Sequence, residues 1–169
     1  LRIASFNLHN LFNGDGRGDG FPTERGAETA PQYARQQAKL VAVVQAMQPD
    51  IAALMEVEND GNGPRSALAQ FVTALNAAGP ARDYALVDTG PRLGGDSIRV
   101  ALIYRRGRVH ASAHARLEGG PFEGRSRVSL AQAFRAGNGP AFVVAANHFK
   151  SKGCGRAPDE AKGADADQG

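Results

Sequence analysis

Between Tyr84 and Phe149 the chain is a succession of strand-length apolar runs separated by glycine turns, and ahead of them stand two runs that each lead into a helix-length amphipathic segment. This order restricts the fold to a sheet assembly with two helices on one face, either α+β or α/β. The first run, Leu1 to Asn7, alternates apolar and polar residues and is expected to break at Asn7. A Gly- and Asp-rich loop follows from Asn13 and runs to about Thr29. Pro31 suits a first helical turn, and Leu40, Val41, Val44 and Met47 then share one face until Pro49. Ile51 to Glu56 reads as a buried strand and Asn59 to Pro64 as a loop. A second helix carries the stripe Leu68, Phe71, Val72 and Leu75 and stops at Gly79. Strands are expected near 84–88, 98–105, 109–117, 128–135 and 141–149, as one antiparallel meander.

At 169 residues the chain has enough length for one domain with a real core. Its longest apolar runs are strand-sized, so no membrane span is expected. No signal peptide is visible, which suits either a trimmed secreted chain or a cytosolic one. The formal net charge of +3 is a mild excess that fits an acidic partner such as nucleic acid and equally fits ordinary surface charge. Cys154 is the single cysteine, so it is either a free thiol or bonded outside this sequence. No zinc-type spacing occurs, and the glycines of 14–20 lack the lysine of a nucleotide-phosphate loop. Residues 152–169 carry no apolar periodicity and read as a mobile loop or tail.

Three runs end on polar groups: Asn7, Glu56, and the pair Asn147-His148. Ligands in open sheets gather at strand ends, so neighbouring strands would bring these groups to one rim. Each residue alone also has a structural reading, as a solvated strand end, a turn former or a hydrogen-bonded histidine. Glu56 suits Mg²⁺, which takes one or two carboxylates and completes its shell with phosphate and water. His148 can transfer a proton near neutrality. Arg125 and Arg127 lead the run 128–134, and Lys150 and Lys152 follow His148, all suited to a phosphodiester or else surface charges.

In this order the motifs carry a resemblance. Ile3 to Phe12 resembles the opening motif of the endonuclease/exonuclease/phosphatase superfamily, and Pro49 to Asn59 resembles the motif that supplies its metal-binding glutamate. Asp96 to Arg105 and Arg127 to Phe134 resemble its following core strands, and Asn147 to Gly153 is similar to the signature of its bacterial extracellular nucleases. The resemblance spans nearly the whole chain. It implies a four-layered α/β/β/α sandwich of the deoxyribonuclease-I-like type, an α/β fold of which this chain supplies roughly the first half. It also implies Mg²⁺-dependent hydrolysis of phosphodiesters (with Mn²⁺ or Ca²⁺ as other metals), nucleic acid as the partner and an extracellular or periplasmic setting. Carried over, Glu56 binds the metal, with Asn7 helping to orient its shell or the phosphate. His148 lies beside the scissile phosphate, and Arg127, Asn147 and Lys150 bind substrate phosphate. The family's Gly-Asp-x-Asn and Ser-Asp-His segments do not occur here and are expected beyond Gly169. The domain is therefore expected to be incomplete over 1–169, to be inactive by itself, and to leave the first sheet unpartnered with an exposed apolar face. The same resemblance pairs Cys154 with a cysteine further on. Other members of the superfamily, phosphatases or sphingomyelinase-like lipases, and a non-catalytic binding module are the alternatives.

Overall fold

The structure is a computed structural model that describes residues 1–14, 20–117 and 126–149. The expectations for Arg125, Lys150, Lys152, Cys154 and the segment 152–169 lie outside the described residues. The elements are β1 (Ile3–Leu11), α1 (Ala30–Met47), β2 (Ile51–Glu58), α2 (Ala67–Ala78), β3 (Tyr84–Leu86), β4 (Ile98–Arg105), β5 (His110–Leu117), β6 (Ser129–Arg135) and β7 (Ala141–Ala146). Thr29 caps α1 in a reciprocal capping box with Gln32, and Ser66 caps α2. Gln48 closes α1 in a left-handed conformation, ahead of Pro49.

Four strands form one sheet in the order β1-β2-β4-β3, with β1 parallel to β2 and the other pairs antiparallel. The parallel pair exists because α1 carries the chain back across the sheet, as a crossover requires. Strands β5, β6 and β7 form a separate antiparallel sheet. The expected meander is thus divided between two sheets. The division falls at the tight turn after β4, where Asp83 beside β3 accepts from the Arg105 guanidinium and the Gly107 N–H, and its carbonyl accepts from Arg106 N–H. Those bonds tie the turn to the first sheet and send β5 away from it.

Two cores result, one on each face of the first sheet. Leu8, Val44, Leu54, Leu68, Phe71 and Ile103 join it to both helices. Ile51, Val100, Leu102, Leu130, Phe134 and Ala146 join it to the second sheet. Alternation along β2 and β4 serves both faces, which explains why their residues are buried nearly without interruption. The first sheet is therefore not left unpartnered, as expected from sequence, because the second sheet covers its other face. The layers are α/β/β, which is the first three layers of the expected sandwich. Several strand ends also differ, with β2 running on to Glu58 rather than 56 and β3 stopping at Leu86 rather than 88. β1 continues past Asn7 to Leu11 through a register shift, and β7 stops at Ala146 rather than 149.

Candidate active site

Irregular backbone creates the site. Pairing of β1 with β2 shifts register between Asn7 and Leu11, and pairing of β2 with β4 shifts between Leu54 and Val57. At the same level His9, Asn10 and Glu56 take left-handed conformations with φ of 54°, 55° and 59°. None is glycine, so each costs about 1–2 kcal/mol. Bulges of this kind re-aim side chains. The strain is held by hydrogen bonds. Gln36 of α1 donates its amide to the carbonyls of Leu8 and His9 at 3.0 and 2.8 Å. The Asn7 oxygen accepts from His9 N–H at 2.8 Å.

The bulge in β2 turns the Glu56 carboxylate toward β1. There Asn7 Nδ2 donates to Oε1 at 2.9 Å, and the Asn10 N–H donates to Oε2 at 3.1 Å. Asn7 thus presents an amide N–H₂ to Glu56 and orients it. From the second sheet, His148 brings Nε2 to 3.6 Å from Glu56 Oε1. Ser126 Oγ donates to the His148 carbonyl at 3.1 Å, tying the entry of β6 to the exit of β7. Arg127 is next along. Its Nε donates to Asp96 Oδ2 at 3.0 Å, while Arg25 Nη1 lies 3.0 Å from Asp96 Oδ1. Arg127 is thus held by a carboxylate and keeps further N–H groups on its guanidinium.

Burial opposes ionisation of Asp96, but the Ile98 N–H and the Arg127 and Arg25 guanidiniums outweigh it and hold the carboxyl below its ordinary pKa. His148 is lowered from its ordinary value, first by burial and then by Arg127, against opposing contributions from Glu56 and Asp96. It is therefore neutral at neutral pH, and the Glu56 contact becomes an ion pair only in acid. A depressed histidine pKa means that the unfolded chain binds the proton more readily. The stability contributed by neutral His148 is present above the unfolded pKa and is lost as pH falls toward the lower folded one. In the metal-free chain, NMR titration of the His148 ring is expected to give a value below that of a free histidine. Glu56→Gln should lower it further, and Arg127→Gln should raise it. Opposite signs would contradict this arrangement of charges.

Four groups read from sequence, Asn7, Glu56, His148 and Arg127, thus gather at one rim. Asn147 does not join them. Its amide donates to the Ala145 carbonyl two residues back, at the end of β7, and the residue lines a groove with Ile3, Ser5 and Met55. Asp96, Arg25 and the Asn10 N–H are site groups that sequence reading did not single out. Asp96 sat within a recognised motif, whereas Arg25 lay in an unpatterned loop.

Among the described residues no three His, Cys, Asp or Glu side chains converge as a metal cage. Glu56 is a single oxygen-donating carboxylate four-fifths buried, and the buried His148 Nδ1 has no hydrogen-bond partner among the described residues. One carboxylate with open positions around it fits Mg²⁺, which keeps several waters and substrate oxygens.

No protein-family model and no curated protein matches the chain by sequence. Solved structures do match its fold. ANGEL2, a 2',3'-cyclic phosphatase, in complex with adenosine-2',3'-vanadate aligns with a TM-score of 0.56 at 17% identity, over 87% of this chain and 40% of that one. The endonuclease/exonuclease/phosphatase from Bacteroides vulgatus aligns at 0.53 and 17% identity, over 89% and 53%. Humanized D. rerio TDP2 aligns at 0.51 and 15% identity, over 89% and 48%. The fold is therefore the deoxyribonuclease-I-like α/β type, and the chain spans about half the length of these structures. No helix among the described residues is long and apolar enough to cross a membrane.

Proposed function

We propose that this chain carries the glutamate, histidine and arginine part of a divalent-metal-dependent phosphodiesterase that hydrolyses nucleic acid, DNA foremost. The observation that carries the reading is the convergence of Glu56, His148 and the Asp96-held Arg127 from two sheets onto one rim. The shared fold supports it, since the similar structures include a cyclic phosphatase and an endonuclease/exonuclease/phosphatase. Glu56 would hold Mg²⁺, with Mn²⁺ or Ca²⁺ as substitutes, and the bound metal would neutralise charge on a phosphate oxygen. Asn7 and Asn10 fix the Glu56 carboxylate, so it is set before substrate arrives. Neutral His148 can take a proton at Nε2 or, once protonated, stabilise developing negative charge. Arg127 supplies a fixed cation for a non-bridging oxygen. The groups that align and activate water belong, in this reading, to sequence beyond residue 169. Secretion to an extracellular or periplasmic setting, with Cys154 disulfide-bonded to a later cysteine, belongs to the same reading, and a free Cys154 thiol in the secreted protein would remove that part.

The ANGEL2 likeness favours one second reading, hydrolysis of a cyclic phosphate on a nucleotide. The intact protein should be assayed with Mg²⁺ on plasmid DNA, RNA, a 2',3'-cyclic nucleotide and a choline phosphodiester lipid, each with and without EDTA. DNA cleavage that EDTA stops is the expected result. Turnover of the cyclic nucleotide or the lipid without cleavage of nucleic acid would overturn the nuclease reading, as would full activity in EDTA.

A further inference from the structure

Positive charge continues beyond Arg127 in a way the proposed hydrolysis does not use. Asp96 holds Arg127 with one oxygen and Arg25 with the other, each at 3.0 Å. Arg25 Nε also lies 4.0 Å from the exposed Glu24 carboxylate, and each guanidinium has more N–H donors than these carboxylates engage. The Arg25 side chain is 41% exposed. It stands at the rim of a groove of about 400 Å³ between β1 and α1. Leu8, Ala27 and Leu40 give this groove an apolar floor, Arg25 and Lys39 give it a basic rim, and among the described residues no carboxylate lines it. An apolar floor beneath a cationic rim suits a nucleotide unit, with its flat base or sugar below and its phosphate above.

The loop that carries Arg25 is fixed against the site. A Cβ on Gly26 would lie 2.6 Å from the Asn10 carbonyl and 2.9 Å from Phe12 Cβ, so only glycine permits this approach. Asn10 is the residue whose N–H holds Glu56. Arg25 is therefore positioned from the same strand turn as the candidate metal ligand.

We propose that Arg25 is a second phosphate-binding residue, so that the site accepts a nucleic-acid strand with one phosphate at Arg127 and a neighbouring one at Arg25. This rests on the nucleic-acid reading above and specifies its substrate as a strand, not a phosphate on a monomer. Asp96 positions both cations, and substrate phosphates take the guanidinium donors that Asp96 leaves.

The test is binding of a labelled oligothymidylate to the intact protein in EDTA, followed by fluorescence anisotropy across a salt series. A direct phosphate contact contributes about 0.7 to the slope of log affinity against log salt for a single strand. Arg25→Gln is expected to flatten the slope by about that amount and to weaken binding at low salt by about five- to ten-fold, a single exposed charge-assisted hydrogen bond. Arg25→Lys should keep the slope. Thymidine monophosphate should bind wild type and Arg25→Gln alike. An unchanged slope in Arg25→Gln, with wild type binding the strand, overturns the role of Arg25 and leaves the nucleic-acid reading standing. A lower melting temperature with that unchanged slope would make Arg25 a structural clip. Failure of the wild-type chain to bind the strand at low salt overturns both.

Discussion

Replacing Glu56 by glutamine is expected to lower metal-dependent turnover by the intact protein at least about a thousandfold, roughly 4 kcal/mol of lost transition-state stabilisation. The substitution keeps the shape of the side chain and removes its charge. It also leaves an amide N–H₂ facing either Asn7 Nδ2 or the Asn10 N–H, where Glu56 accepts from both. One hydrogen bond of about 1 kcal/mol is lost, so the melting temperature should fall by about 2–4 °C. A second variant separates function from folding. Glu56 sits at φ 59°, where glycine is unstrained. Glu56→Gly gains about 1–2 kcal/mol from relief of that strain and loses two hydrogen bonds of about 1 kcal/mol each, so its stability should match wild type within about 1 kcal/mol. An enzyme with no activity and a wild-type melting curve is the expected pair of observations. Calorimetry should show Mn²⁺ binding weakened in both variants. Retained turnover in Glu56→Gln would remove Glu56 from the metal site.

The strained position of Glu56 also marks the limit of what the sequence shows. Helices α1 and α2 were legible because apolar spacing and end signals agree: Pro31 and Pro49 bracket one, and Gly79 closes the other. Strand positions were legible for the same local reasons. Their division into two sheets was not, because Arg105 to Val109 resembles any tight hairpin turn. Only the distant Asp83 side chain determines that the chain leaves the first sheet there. Likewise, Asn7, Glu56 and His148 could be singled out because each interrupts an apolar run. The left-handed turn at His9 and Asn10 had no glycine to announce it and depends on Gln36, which lies 27 residues from His9. Arg25 had no local signal at all. Its place follows from Gly26 crossing β1 and from Asp96 across the fold.

Arg99 is a further case, and it carries the largest stability effect expected in the molecule. Arg99 stands inside the strand Ile98 to Arg105, between apolar neighbours, and is 1% exposed. Its guanidinium donates to the Gly61 carbonyl at 2.6 Å, the Asn62 side chain at 2.9 Å and Thr89 Oγ1 at 3.1 Å, and more weakly to the Glu58 carbonyl. Burial lowers its pKa, while Asp60 and Asp88 favour the charged form. An arginine so placed remains charged. Arg99→Met would leave those acceptors and the Asp60 charge without the cation, at a cost of about 3–5 kcal/mol, or a fall of roughly 6–20 °C in melting temperature. Arg99→Lys should recover only part of this, because an ammonium cannot reproduce the planar fork that reaches several acceptors at once. The loop being held, Glu58 to Asn62, begins two residues after Glu56. Hydrogen exchange should therefore quicken at 58–62 in both variants before global unfolding, and metal affinity at Glu56 should weaken with it. If Arg99→Met melts within about 2 °C of wild type, the buried cation is not what holds this loop, and the rigidity of Glu56 must come from the Asn7 and Asn10 contacts alone.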